Sequence, residues 1–276
     1  MNCRACNSKN LDFYITSKSQ LIELGNFNFY ICKDCKSLNL EASFSIEELK
    51  MLYSKDYPLF DMRRTWGKYY KFVEFEMQNV VKRRINYIKK FTSLENKFIL
   101  DLGCGDGSFL IGLKNYSSNI FGFDIVKLRK DIEIFDNLDS IPYKFDIITA
   151  YHYLEHEENP RIIVDKVYEL LKTGGIFIIE TPKFPSFGFS IFKDKWAGLH
   201  TPRHFVVFSK KGLFTVLQRF KILKYSNFSS YSKYILYGLT LFKPNEENFI
   251  RWTIFMFLLY PIYTFSDDIL TIVVKK

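Results

Sequence analysis

The sequence predicts an α/β fold, a largely parallel sheet with helices on both faces, preceded by a small metal-bound ribbon. Three observations predict it. Two Cys-x-x-Cys pairs, Cys3/Cys6 and Cys32/Cys35, stand near the start. From residue 97 onward, short apolar runs alternate with amphipathic ones, the rhythm of strands and helices. A glycine-rich turn, Asp101-Leu102-Gly103-Cys104-Gly105-Asp106-Gly107, separates the first of those strands from the helix after it.

The 276 residues suffice for one α/β domain of ordinary size plus an appendage. A hydrophobic content of 47% with 25% charged residues excludes a disordered chain, and 18% aromatics predicts an aromatic core. The net charge of +9 has two readings. One is an anionic partner such as RNA, a nucleotide-linked sugar or an acidic membrane surface. The other is a Lys-rich solvated surface, favoured because no run of five basic residues occurs. The polar opening with two cysteines is unlike a secretory signal. The apolar stretch Phe249–Phe265 contains Arg251 and Pro261 and falls short of the roughly 20 residues a spanning helix needs. A cytoplasmic location with reduced thiols is therefore expected.

The cysteine pairs come first in the chain. Each pair presents two thiolates from a tight turn, and 25 residues separate the turns. Two such turns complete a tetrahedral sulfur cage for zinc. The short β-like runs Leu11–Ile15 and Phe27–Ile31 lie between them, the second leading into the second turn as in a zinc ribbon. With Cys3, Cys6, Cys32 and Cys35 all ligating, no position is left for an activated water, so the zinc is expected to be structural. Disulfides are disfavoured in a reducing compartment. Redox chemistry is disfavoured because neither pair opens a helix in a βαβ unit. Residues 1–44 form this module.

Residues 45–95 read as a helical connector. Ser45 with Glu48 forms a capping box. From Arg64 to Phe91 the residues Val73, Met77, Val80, Val81, Ile85 and Ile88 fall at helical spacing, predicting one long helix. Residues 96–276 form the α/β domain. Strands are expected at Lys97–Leu100, Asn119–Phe123, Ile132–Phe135, Phe145–Tyr151, Ile176–Thr181, Phe220–Tyr225 and Ile269–Val274. Helices are expected at Ser108–Tyr116, at Pro160–Leu171 closed by Gly174-Gly175, and from Ser209 to Arg219. The aromatic-rich segment of about 229–267 reads as an insertion. Its stretch Trp252–Tyr263 is expected to be a helix over the cleft, with a peripheral membrane anchor as the alternative; few basic residues disfavour the anchor.

Glycines between a first strand and its helix let the chain turn sharply and approach a ligand. Asp124 ends the second strand, 21 residues after Gly103, where a carboxylate accepts both ribose hydroxyls of an adenosine ligand. NAD and S-adenosylmethionine both satisfy that much. Ser108 stands where the dinucleotide pattern wants a third glycine. Asp101 adds a negative charge that repels a pyrophosphate and suits an ammonium and a sulfonium.

Asp101–Gly107 resembles the first motif of class I S-adenosylmethionine-dependent methyltransferases, and Ile120–Asp124 resembles their second. The run Phe145 to His156, with Leu154-Glu155-His156 and then Asn159-Pro160, is similar to their fourth-strand motif. Glu180-Thr181-Pro182 and Trp196 through Ser209, including Pro202-Arg203-His204, resemble segments of a bacterial subgroup. The resemblance implies a Rossmann-like methyltransferase sheet. It implies cofactor contacts from Asp101, Gly103, Cys104, Gly105, Asp124, Ile125, Leu138 and Tyr151. It also implies a small acceptor, a sugar or a polysaccharide or lipopolysaccharide precursor, nucleotide- or lipid-linked.

All four histidines, His152, His156, His200 and His204, lie just beyond strand carboxyl ends. A hydroxyl acceptor needs a base, and His204, then His156, are the candidates. Arg203 reads either as a bidentate clamp for an acceptor anion or as half of an ion pair. Two rival readings remain open: an RNA base methyltransferase gripping nucleic acid through the ribbon, and a catalytically silent scaffold that retains the cofactor pocket.

Overall fold

In the computed structural model, the described residues are 1–21, 23–53, 62–229, 240–258 and 266–276. The amino-terminal strands are β1 (Leu11–Lys18), β2 (Asn26–Cys32) and β3 (Leu38–Leu40). Helix α1 (Ile46–Leu52) follows, and Ser45 and Glu48 make both bonds of the expected capping box. Next come α2 (Met62–Trp66) and α3 (Tyr70–Ile88). They are not the single helix expected. Gly67 has φ +48°, a left-handed conformation that breaks the helical path and leaves a 3-10 turn at Gly67–Tyr69.

The larger sheet is built from β4 (Ile99–Leu102), β5 (Ile120–Phe123), β6 (Glu133–Phe135), β7 (Phe145–Tyr151) and β8 (Leu171–Pro182). The two-residue β9 (Val206–Val207) belongs to the other sheet, and β10 (Lys221–Ser226) and β11 (Ile269–Lys275) complete the larger one. Its order is β10-β11-β8-β7-β4-β5-β6, with β11 antiparallel to its neighbours and the five central strands parallel. The chain works outward in both directions from β4. The crevice beyond the carboxyl ends of β4 and β7 is thus the switch point where such sheets bind ligands.

Helices lie on both faces, because neighbouring strand residues bury in opposite directions. Ile99, Ile147, Ile178 and Val273 pack with Ile85 and Ile88 of α3 and with Phe109 and Leu110 of α4 (Ser108–Leu113). Leu100, Ile148, Phe177 and Ile179 pack with Val164 and Val167 of α5 (Pro160–Leu170) and Leu213 and Val216 of α7 (Lys210–Val216). Helix α6 (Phe187–Phe192) lies between β8 and β9. The expected closure of α5 at Gly174-Gly175 does not occur. Leu171 is already extended and pairs with Phe145, so β8 starts there. The two glycines lie inside that strand, bonded through Gly174 N and Gly175 O to Lys276.

The ribbon is not a separate layer. Leu38 and Asn39 pair antiparallel with Val207 and Val206, giving a four-stranded sheet β1-β2-β3-β9. Phe29, Leu38 and Leu40 share one buried cluster with Phe184, Trp196, Leu199 and Phe205. Ser209, the cap of α7, donates its hydroxyl to the Cys35 carbonyl, and its backbone N–H donates to Ser37 Oγ at 3.0 Å. Within the aromatic-rich segment, α8 (Phe249–Leu258) turns Phe249 and Trp252 onto Trp66 and leaves Ile250, Ile254 and Leu258 exposed. The remainder of the apolar stretch, 259–265, lies outside the described residues. Among them, no helix is long and apolar enough to cross a membrane.

Candidate active site

The turn after β4 has Gly103, Gly105 and Gly107 at φ +69°, +52° and +73°. The N–H groups of Gly103 and Cys104 donate to the Phe123 carbonyl at 2.8 and 3.2 Å, tying the turn to the end of β5. A Cβ on Gly103 would stand 2.7 Å from the Tyr153 ring, so both conformation and contact demand glycine there. Asp124 receives Gly105 N at 2.8 Å on one carboxylate oxygen and Val126 N at 2.9 Å on the other. Each oxygen keeps a further acceptor site, so the fixed carboxylate suits a pair of vicinal hydroxyls. Beside it, Ile125 is 37% exposed, an apolar surface at the rim. Leu138 opens a 3-10 turn capped by Asn137 and is buried.

Asp101 is buried and accepts from Thr149 Oγ1 at 2.6 Å. Burial lifts its carboxyl to about 7, against the pull of the Thr149 bond and of nearby Arg84. Arg84, from α3, lies 4.1 Å over the Tyr151 ring, and Phe109 packs against that ring edge-on. The Tyr151 hydroxyl is buried without a hydrogen-bond partner, an unmet polar group at the end of β7. Cys104 is buried and its thiol is pushed far up by that burial, so it is no nucleophile.

Four histidines gather beyond β7 and β8, in two electrostatic settings. His152, at φ +55°, lies between Glu155 (Nδ1 to Oε1, 3.2 Å) and Glu180 (Nε2 to Oε1, 3.2 Å). Burial alone would lower its pKa, but the bonds to the two buried carboxylates overcome this and raise it to about 9. His156, His200 and His204 form a separate cluster, with one ring nitrogen from each within 4.8 Å of the others. His156 Nδ1 lies 2.6 Å from the Tyr53 hydroxyl and 3.1 Å from the Arg203 carbonyl. His204 Nδ1 lies 2.8 Å from the Gly198 carbonyl. Burial drives His156 down to about 4 and holds His200 and His204 well below the usual histidine range.

Arg203 is not an acceptor clamp. It is buried, with Nε and Nη2 donating to the Leu52 carbonyl at 3.2 and 3.0 Å and Nη1 to the Gln20 carbonyl at 3.2 Å. It fastens the His200–His204 loop to the ribbon and to α1. Sequence reasoning also passed over Arg84, Tyr53 and the Glu155–Glu180 pair. The glutamates stand in the quoted Leu-Glu-His and Glu-Thr-Pro motifs, and their apolar neighbours were the available signal. Nothing in the spacing of Arg84 or Tyr53 pointed to the site.

The four amino-terminal thiols also converge. Cys3 and Cys35 Sγ are 3.5 Å apart, Cys6 and Cys32 Sγ are 3.6 Å apart, and all four lie within 4.8 Å of one another as free cysteines. A tetrahedral zinc at 2.3 Å from each sulfur sets them about 3.8 Å apart. The donor set fits. Asn39 Nδ2 points to Cys3 Sγ at 3.7 Å and Cys35 N to Cys32 Sγ at 3.5 Å, the N–H···S contacts that stabilise thiolates.

A glycine turn and acidic residue at the switch point of this sheet define the architecture of a Rossmann-like methyltransferase. The family described as "Methyltransferase domain" matches residues 73–220, more than half of the chain, and the chain belongs to that family. The ubiquinone biosynthesis O-methyltransferase of Hydrogenovibrio crunogenus is 31% identical over 115 residues, covering 36% of this chain and 48% of that protein. That of Dechloromonas aromatica is 29% identical, covering 36% and 50%. The chain thus spans about half the length of the curated relatives it matches. Among solved structures, a SAM-dependent methyltransferase from Archaeoglobus fulgidus superimposes with a TM-score of 0.51 at 21% identity, covering 76% of this chain and all of the other. Coclaurine N-methyltransferase bound to N-methylheliamine and SAH gives 0.51 at 14% identity, covering 72% of each chain. Both show the same class I fold.

Proposed function

We propose that the protein transfers the methyl group of S-adenosylmethionine to a hydroxyl oxygen of a small acceptor, a sugar or another polysaccharide precursor. The observation that carries the reading is the Asp124 carboxylate, fixed by Gly105 N and Val126 N beside the left-handed glycine turn. Asp124 accepts the ribose hydroxyls, and the backbone of Gly103, Cys104 and Gly105 lies along the nucleoside. Ile125 and Leu138 flank the adenine. Asp101 and the unmet Tyr151 hydroxyl serve the amino-acid end, with Arg84 beside them.

When bound, the cofactor supplies an electrophilic methyl on a sulfonium that is already a good leaving group. The chain's task is to align the acceptor oxygen with that methyl and to exclude water, worth roughly 7–11 kcal/mol in favourable cases. The acceptor hydroxyl must also lose a proton. His204 or His156 accepts it, since burial keeps both neutral, whereas His152 is already protonated at neutral pH. The relatives' name of ubiquinone biosynthesis O-methyltransferase supports an oxygen acceptor, while the sugar is suggested only by the resemblance of Trp196 through Ser209 to a bacterial subgroup. Zinc held by Cys3, Cys6, Cys32 and Cys35 fastens the ribbon and takes no part in the transfer.

The test is incubation of the full chain with methyl-labelled cofactor and separate metabolite, glycan-precursor and RNA fractions. Label on an oxygen of a small glycan precursor is the expected result. Label confined to RNA replaces this reading with base methylation, and tight cofactor binding without turnover in any fraction leaves only a silent scaffold.

A further inference from the structure

We propose that His156, His200 and His204 form a second metal site, distinct from the cysteine cage, that binds a borderline divalent cation of the zinc type through three imidazole nitrogens. The three residues come from two loops. His156 ends a 3-10 turn after β7, and His200 and His204 lie in the segment that leads into β9. Their rings meet nearly at right angles, at 74°, 80° and 86°, with centroids 4.5, 5.8 and 5.0 Å apart. Such rings pack edge to face around one point rather than stacking.

The anchoring of the rings favours ligation. His204 Nδ1 donates to the Gly198 carbonyl at 2.8 Å, which fixes the tautomer and leaves Nε2 with its lone pair. His156 Nδ1 has both the Arg203 carbonyl at 3.1 Å and the Tyr53 hydroxyl at 2.6 Å, and in the tautomer that donates from Nδ1 its Nε2 is the electron-pair donor. A ring N–H donated to a backbone carbonyl, which leaves the other nitrogen as a ligand, is the outer-shell pattern of metal-binding histidines. His200 is held at φ +39°, ψ +47°, a left-handed conformation disfavoured for a non-glycine residue. The fold thus spends conformational energy on the residue that completes the triad.

Charge and softness then select the cation. The donors are neutral nitrogens with no carboxylate among them, a set suited to zinc, cobalt or nickel and ill suited to magnesium or calcium. Three nitrogens at about 2.05 Å in a tetrahedral arrangement stand about 3.3 Å apart. The ring nitrogens lie within 4.8 Å of one another, so ligation would draw them closer together. Three protein ligands leave a fourth position open, whereas the four thiolates fill theirs. The protonated His152 and the Arg203 guanidinium lie nearby and work against a cation, so the site is expected to be weaker than the cysteine cage.

Metal binding and proton acceptance are mutually exclusive uses of the same lone pairs. The site is nevertheless defined without reference to methyl transfer, and its test reads metal alone. The untagged full chain is equilibrated with micromolar zinc, freed of excess and analysed for metal. About two zinc ions per chain are expected, falling to about one in His200→Asn, a replacement that tolerates the left-handed backbone. A single zinc in the wild type, or two retained in a folded His200→Asn, overturns the proposal. Should that variant not fold, cobalt titration of the wild type decides. The first equivalent should bring intense sulfur-to-metal charge transfer, and the second only ligand-field absorption. A second equivalent that adds sulfur charge transfer, or that does not bind, also overturns it. The metal count does not itself report methyl transfer, although a filled site leaves His156 and His204 unable to accept the acceptor's proton.

Discussion

The cysteine cage and the histidine cluster gather their side chains by different routes. The cage is assembled locally, each Cys-x-x-Cys pair from one turn, and β1 and β2 bring the two turns together. The histidine cluster is assembled by topology. His156 and His204 are 48 positions apart in sequence and meet because the segment around β9 returns to pair with β3. Arg203 then bolts that segment to Leu52 and Gln20. The difference teaches that one cluster is encoded in spacing and the other in the sheet. It also makes the second depend on the first, since the cage holds the ribbon that supplies β3.

That dependence can be broken in order of severity. With zinc held by the four thiolates as proposed, stripping it with a chelator, or Cys32→Ser, should cost about 5 kcal/mol, a fraction of the zinc-binding energy of isolated fingers. In a chain of this size this lowers the melting temperature by about 10–20 °C. Thermal denaturation with and without chelator checks it, and an unchanged curve would separate the cage from stability. Next, Arg203→Ala removes a buried cation from two carbonyls and should cost about 3 kcal/mol. Arg203→Lys should recover little of this, because an ammonium cannot offer the paired Nε and Nη2 donors. Full recovery in denaturant titrations would contradict the strut assignment.

A smaller effect sharpens the contrast between the two kinds of histidine. His152 is raised to about 9 by Glu155 and Glu180, above the ordinary 6.5. Its contribution to stability is therefore fully present below pH 6.5 and is lost as pH rises through 9. The melting-temperature gap between wild type and His152→Asn should be constant below 6.5 and shrink toward pH 9. A gap that widens over that range would reverse the assignment. The smallest effect concerns Asp101, whose carboxyl is lifted to about 7 by burial. A cationic ligand favours its ionised form, so cofactor affinity should fall by up to about tenfold per pH unit below 7. Asp101→Asn should abolish that dependence, and affinities measured at pH 6 and pH 8 are enough to see it.

Much of the larger sheet was legible because its strands are short apolar runs, and β7 falls at the expected Phe145–Tyr151. The glycine turn after β4 and the position of Asp124 just beyond β5 were legible too, since both depend on residue type at a fixed offset from a strand end. The errors share a cause, contacts made across the chain. Gly174-Gly175 looked like a helix stop but pairs with Lys276 at the far end of the sequence. Arg203 reads from sequence as an acceptor clamp or half of an ion pair, and its guanidinium instead holds the Leu52 and Gln20 carbonyls. Arg84, one cation among many on a helix, gained its place beside Asp101 and Tyr151 only from the packing of α3 against α4.

Everything functional rests on a pocket that receives a sulfonium nucleoside, so the most direct measurement is calorimetric titration of the full chain with S-adenosylhomocysteine and, separately, NADH. One equivalent of S-adenosylhomocysteine should bind, weakened about 10- to 100-fold in Asp124→Ala for the loss of charged hydrogen bonds worth roughly 1.5–3 kcal/mol, while NADH gives no binding heat. Saturable binding of NADH with none of S-adenosylhomocysteine would contradict the account.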